Sequence, residues 1–351
     1  MDGHIAHALA QRVPPEEIVV IYTDEGPATA AGRFPDGVRE VNFHAHVGEM
    51  EADWQDHTLA MLVRSFQAES IVNFNSDVFH RAMRTYGSAL AASERIFAIF
   101  FSNEKGEIVH SDGWPSLQLY RVLDHVAGII TDSEYLAQWI DDIYQLDAVS
   151  REKIRVVPVP VDPTVRVISP KASSRPSGRP TVFWAGRLDR ENEIGLFLQI
   201  ARLMPEVDFR IWDEATPQRR VLNLLPDNAK VEGTYAAFND LNLGEADMWL
   251  YTSAWDGVPT MLLEVAMAGV PMVGSLSGGI GEVLDEADAW PVAQIDNAEE
   301  YVKAIREVQA DMAGARKRAG ALRERLLRER SEAAFAEQMA GLLLLEDEEA
   351  T

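Results

Sequence analysis

Short apolar runs recur along the chain, separated by stretches with helical spacing. The first set is IVVIYT (18–23), VNFHAH (41–46), SIVNFN (70–75), IFAIFF (96–101), GIITDS (128–133) and IRVVPVPV (154–161). The second is TVFWAG (181–186), FRIWD (209–213), AKVEG (229–233), MWLYTS (248–253), PMVGS (271–275) and AWPV (289–292). Continuous β-branched and aromatic runs alternating with helices predict parallel strands covered on both faces. Between the two sets, residues 162–180 are rich in Pro, Ser and Gly and read as a linker. The pattern therefore predicts an α/β protein of two doubly wound, Rossmann-like parallel-sheet domains. They cover 1–165 and 181–330, with the linker at 166–180. The first opens on a helix-like segment (3–13) and lacks the strand with which such a domain normally begins. In sheets of this kind ligands bind beyond the carboxyl ends of the strands, and with two domains the cleft between them is the expected place.

Composition narrows the function. Length, 351 residues, suits two domains, and 47% hydrophobic with 25% charged residues suits a globular core. With no cysteine, disulfides, thiolate chemistry and sulfur-ligated zinc are excluded, and a reducing, cytoplasmic setting is expected. A formal charge of -24 argues against nucleic acid and anionic membrane surfaces as main partners. An acidic chain that takes an anionic ligand needs a local positive pocket.

The stretch DGVPTMLLEVAMAGVP (256–271) places Glu264 among Leu262, Leu263, Val265 and Met267. A buried carboxylate is costly unless something pairs with it. The strand at 248–253 leads through a turn at Asp256 to Pro259, which suits the first turn of a helix; Gly269 and Pro271 end that helix. Glu264 lies roughly 7–8 Å below the helix mouth at about 1.5 Å per residue and leans back toward it. Helix mouths attract phosphate, and a carboxylate below can accept from a pair of hydroxyls. Phosphate above and a diol below describe a nucleotide. Gly278 and Gly279, after the next strand, permit close backbone approach to a ligand. Arg187, just past the strand 181–186, can meet an anion with its planar fork.

These residues resemble those of the retaining, nucleotide-sugar-dependent glycosyltransferases of GT-B fold known as glycosyl transferases group 1. The family pattern runs through a strand ending in G-R-L, then S-x-x-E-G, a second Glu seven residues on, A-x-G-x-P, and G-G with a following Glu. Here it reads Gly186-Arg187-Leu188, Ser253 to Asp256-Gly257, Glu264, Ala268-Gly269-Val270-Pro271, and Gly278-Gly279 with Glu282. The resemblance spans about 181–335, and residues 331–345 are similar to the family's last helix, which crosses back to the first domain. It implies that Arg187 contacts the donor diphosphate. Asp256 and the backbone of Gly257, Val258, Pro259 and Thr260 would hold the sugar, and Glu264 the ribose. Gly278, Gly279 and Glu282 would line the donor site, and Gly233 and Thr234 would frame the base. No metal and no cofactor beyond the nucleotide sugar is implied, in keeping with the absence of an Asp-x-Asp.

Three positions depart from the family. Asp256 replaces the first Glu, Asn192 stands where the family has Lys, and the first domain lacks the opening strand and Gly-rich loop. A charged hydrogen bond lost at Asn192 costs about 1.5–3 kcal/mol, with Arg190 a possible substitute. Trp184, Trp212 and Trp249 read as core, and Trp255 is the one placed to meet a sugar. His44 and His46 are expected on one face of a strand, without a third ligand for a metal. The run 316–330 reads as a solvated helix face, with contact to anionic lipid or a partner as the alternative.

The reading is a transferase moving a hexose from a UDP- or GDP-sugar to a glycan or lipid-linked acceptor. A catalytically degenerate GT-B scaffold in a multidomain glycan-assembly protein, and a sugar-nucleotide epimerase of GT-B shape, stay open beside it.

Overall fold

A computed structural model describes residues 2–24, 33–74, 76–100, 116–168, 178–186, 191–213, 222–235, 237–254 and 257–345, without the side chains of 2, 116–118 and 191–193. In chain order the elements begin with α1 (Asp2–Leu9), β1 (Val19–Tyr22), β2 (Arg39–Asn42), α2 (His44–Val47), α3 (Ala52–Ser65), β3 (Ser70–Phe74) and α4 (Asp77–Leu90). β4 (Arg95–Phe100), α5 (Ser116–Val122), β5 (Gly128–Thr131), α6 (Glu134–Tyr144), α7 (Ala148–Arg151) and β6 (Ile154–Val156) follow. Then come β7 (Thr181–Gly186), α8 (Glu191–Leu203), β8 (Asp208–Asp213), β9 (Ala229–Thr234), β10 (Met248–Tyr251), α9 (Thr260–Met267), β11 (Met272–Ser275) and β12 (Trp290–Val292). The last helices are α10 (Ala298–Ala310), α11 (Met312–Glu329) and α12 (Glu332–Leu343). The chain divides into two compact units, residues 1–160 with 330–351, and residues 161–329.

In the first unit every described strand pairing is parallel. The ladders form a four-stranded sheet, β3-β4-β5-β6, and a separate pair, β1-β2. The two sheets meet through side chains. Thr23 and Ser76 share a hydroxyl hydrogen bond of 2.7 Å, and Ile21 packs on the core that holds Val78, Ile96 and Ile129. α1 and α12 cover the other side, where Ile5, Phe335 and Met339 bury Phe97, Ile99 and Ile130. The end of α12 is held by Arg95, whose Nη2 donates to the Leu342 carbonyl at 2.7 Å, and by the Ser70 hydroxyl on the Leu343 carbonyl.

His44 and His46 require a correction: they lie on α2, not on a strand. β2 stops at Asn42, whose Oδ1 accepts the Ala45 N–H at 2.9 Å. That side-chain bond starts a helical turn, and Phe43 anchors it, 3% exposed.

The second unit is one six-stranded sheet of order β12-β11-β10-β7-β8-β9, parallel throughout. Numbered within the unit this is 6-5-4-1-2-3, a doubly wound sheet whose order reverses between β7 and β10. Its core includes Trp184, Phe197, Phe209, Ile211, Leu250 and Tyr301. Trp184 belongs to that core, and Trp212 and Trp249 are buried too; Trp255 lies outside the described residues.

The basic run on α11 is also corrected. Arg323 donates through Nε to the Met267 carbonyl at 3.0 Å, at the end of α9. Arg325 grips the buried Asp288 with Nε at 2.7 Å and the Val283 carbonyl with Nη2 at 2.6 Å. Arg318 stacks on Trp290, 3.9 Å from the ring centroid. These arginines bind the unit to which they belong, so that face is not simply solvated. Among the described residues no helix is long and apolar enough to cross a membrane.

Candidate active site

The strand-order reversal leaves a crevice at the carboxyl ends of β7 and β10, where such sheets take ligands. β7 ends at Gly186. A Cβ there would stand 3.0 Å from the ring of Trp184, so any side chain at 186 would press on that ring. Arg187 follows directly and, like Asp256, lies outside the described residues. Asn192 opens α8, and its side chain is likewise outside them.

β10 continues into Thr252 and Ser253, both buried. Gly257 and Val258 lead to Pro259, which occupies the N-cap of α9 with φ -63° and ψ 133° and no side-chain cap. The first α9 hydrogen bonds are the N–H groups of Leu262 and Leu263 on the Pro259 carbonyl. Among the described residues nothing accepts from the Thr260 and Met261 N–H groups at the helix mouth.

Glu264 lies one turn below that mouth, about 6 Å at 1.5 Å per residue. Its side chain is half-buried, and no described group donates a hydrogen bond to it. Burial, and secondarily the Asp162 carboxylate, push its pKa up from 4.5 to about 7. Asp162 is held in place by Thr164, whose N–H and hydroxyl both donate to Oδ1, at 2.7 and 2.6 Å. Among the described residues nothing compensates the charge of that carboxylate.

Beyond β11, Ser277 precedes a tight 3-10 turn, Gly278–Glu282. Gly278 adopts φ +58°, a left-handed conformation that favours glycine. Gly279 is buried and Glu282 exposed. On the other side of the sheet, Gly233 and Thr234 end β9, opposite Trp212 and Asp213 of β8. At about 4.8 Å between neighbouring strands, the row of ends from β11 to β9 spans roughly 19 Å.

The structure thus gathers Gly186, Ser253, Gly257, Val258, Pro259, Thr260, Glu264, Gly278, Gly279 and Glu282 at the carboxyl edge of one sheet, with Gly233 and Thr234 farther along that edge. Sequence reasoning did not single out Thr252, Ser275, Ser277 or the pairing of Asp162 with Glu264. Serines at successive strand-end positions, Ser275 and Ser277 before Gly278, are the signal that was there to read.

Residues 179–311 match the family model described as Glycosyl transferases group 1. The matched stretch lies within the second unit. The match covers over a third of the chain and takes in every motif from Gly186 to Glu282. The whole chain has the fold of solved glycosyltransferases. It aligns to sucrose-phosphate synthase from Thermosynechococcus elongatus at 17% identity and TM-score 0.77, over 96% of this chain and 90% of that one. A glycosyltransferase from Rickettsia africae ESF-5 aligns at 14% identity and TM-score 0.72, over 98% and 95%. HepE of Anabaena, solved in complex with UDP, aligns at 14% and TM-score 0.63, over 82% and 80%. No curated protein matches the sequence.

Proposed function

We propose that the chain is a retaining glycosyltransferase that moves a hexose from a UDP- or GDP-sugar to a glycan or lipid-linked acceptor. The observation that carries this is Glu264, a half-buried carboxylate without a described donor, below an open helix mouth at the reversal point of the sheet. A ribose diol supplies the two hydroxyl donors it lacks, and an ionised carboxylate makes the stronger bonds. The UDP bound to the similar HepE structure supports a uridine nucleotide as first candidate.

In this reading the diphosphate faces Arg187 and the N–H groups at the mouth of α9, which meet its charge without a metal or further cofactor. Asp256 and the backbone of 257–260 hold the hexose. The acceptor hydroxyl attacks the anomeric carbon on the face from which the nucleoside diphosphate departs. The leaving group takes the bonding electron pair, and its phosphate oxygen takes the acceptor's proton, so configuration is retained. Positioning and charge stabilisation then supply most of the rate.

Thermal unfolding against UDP, GDP, ADP and their sugars tests the reading, with Glu264→Ala as control. A ligand at a hundred times its Kd stabilises by about 2.7 kcal/mol. A shift with a uridine or guanosine nucleotide, absent in the variant, supports it; no shift with any of them refutes it. Asn192, in place of the family lysine, favours a second reading as a binding scaffold. That reading expects nucleotide binding without turnover of any sugar donor.

A further inference from the structure

The candidate donor-site residues follow three neighbouring strands of the sheet, β7, β10 and β11. Two buried side-chain bridges join them. The Trp184 indole N–H of β7 donates to the Thr252 hydroxyl beyond β10 at 3.0 Å. The Ser253 carbonyl accepts two hydroxyls, Ser275 Oγ at 2.6 Å and Ser277 Oγ at 2.7 Å. All four polar residues are buried, with exposures of 3% for Thr252, 7% for Ser253, 0% for Ser275 and 6% for Ser277.

The two serines are not equivalent. Ser275 is the last residue of β11 and is paired to Val292 in the ladder, so its backbone is held without its hydroxyl. Ser277 lies past the strand. It occupies the N-cap of the 3-10 turn Gly278–Glu282, yet makes no side-chain cap bond. Serine at that position ordinarily caps its own turn. Here the hydroxyl is spent on the Ser253 carbonyl, three residues before Asp256 in the chain. The Ser277 hydroxyl, which also lies 3.4 Å from Ser275 Oγ, thus links the segment leading into α9 to the glycine turn whose Gly278 sits at φ +58°.

We infer that Ser277 is a positioning residue for the donor site: its bond to the Ser253 carbonyl fixes the glycine turn at Gly278-Gly279 against the segment that carries Gly257 to Glu264. This rests on the nucleotide-sugar reading of that crevice. Ser275 supports the same carbonyl from a backbone that is already fixed, and so contributes less. A site held in place before the ligand arrives avoids the ordering cost at binding.

The test is calorimetric titration of the full chain with UDP and with GDP, using Ser277→Ala, Ser277→Thr and Ser275→Ala, with melting temperatures of the free proteins alongside. Ser277→Ala is expected to weaken the nucleotide that binds by about tenfold while the free protein melts within about 2 °C of wild type. Ser277→Thr, which restores the hydroxyl on an extended backbone of φ -112° and ψ 141°, is expected to return affinity to within threefold. Ser275→Ala is expected to stay within threefold. Hydrogen exchange of the free protein is expected to quicken across 276–284 in Ser277→Ala alone. Wild-type affinity in Ser277→Ala, equal losses in both alanine variants, or no rescue by threonine overturns the inference. If wild type itself takes up neither UDP nor GDP, the donor-site reading fails and this one falls with it.

Discussion

Glu264→Gln is expected to make the free protein more stable while abolishing its grip on a nucleotide. The carboxyl at 264 sits at about 7 rather than 4.5, first because it is buried and second because Asp162 faces it. Between those two values the folded chain keeps a proton that the unfolded chain has released. Stability therefore falls as pH rises through the window, and the full cost is present above it. The ceiling is about 3 kcal/mol at about 1.4 kcal/mol per tenfold. The side chain keeps some contact with water, and screening there reduces the figure to about 1–2 kcal/mol. Glutamine keeps the shape and removes the charge. Scanning calorimetry should show the variant unfolding about 2–8 °C hotter at pH 8.5, at 2–4 °C per kcal/mol for a unit of this size, with less than half that gap at pH 5.5. Binding moves the opposite way. A ribose diol prefers the ionised carboxylate, so wild-type affinity for a nucleotide sugar should rise about tenfold from pH 6 to pH 8, and the variant should bind weakly at both. A stability gap that does not change with pH would refute the reasoning. So would a variant less stable at pH 8.5, since either result means that Glu264 already has a donor in the free protein.

His80 should give the first unit the reverse trend. It is buried beside Asn73, whose Nδ2 lies 2.8 Å from the ring Nδ1, and burial lowers its pKa to about 4. The unfolded chain takes a proton below 6.5 that the folded chain refuses, so stability falls from pH 6.5 toward pH 4 by up to about 3 kcal/mol; His80→Gln should flatten that slope in acid-unfolding curves. Phe335→Ala should cost about 3–5 kcal/mol by opening the cluster over Phe97 and Ile99, seen as a lower urea midpoint. Gly186→Ala drives a methyl to 3.0 Å from the Trp184 ring. It should cost about 1–3 kcal/mol and weaken nucleotide binding in the same titrations, because it displaces the start of the segment that carries Arg187.

The strands were legible because a parallel strand buried on both faces must be apolar throughout, and twelve such runs stood out against helical spacing. Glu264 was legible for the opposite reason: one charge in an apolar helix contradicts its surroundings unless a ligand completes it. What escaped depends on register. The bonds from Ser275 and Ser277 to the Ser253 carbonyl exist because β11 lies beside β10, and no local pattern reports which strands are neighbours. Nor does a local pattern report that the Asp162 carboxylate acts on Glu264 from about a hundred residues away in sequence. At VNFHAH an alternating pattern predicts a strand, but the Asn42 side chain binds a backbone N–H and turns the chain into a helix two residues later. The arginines of α11 were misread because a charged run shows nothing of the carbonyls and the aspartate that wait for it.

The closing helix has a consequence for how the chain is made. α12 seals Phe97, Ile99 and Ile130, yet it is encoded after the whole of residues 161–329. A ribosome adding roughly 5–20 residues per second therefore leaves that apolar face bare for about 10–30 seconds while the intervening unit, whose own sheet needs nothing from either end, is already free to fold. The half that starts first finishes last. Its unsealed strands form the interval in which a nascent chain would need a chaperone's cover.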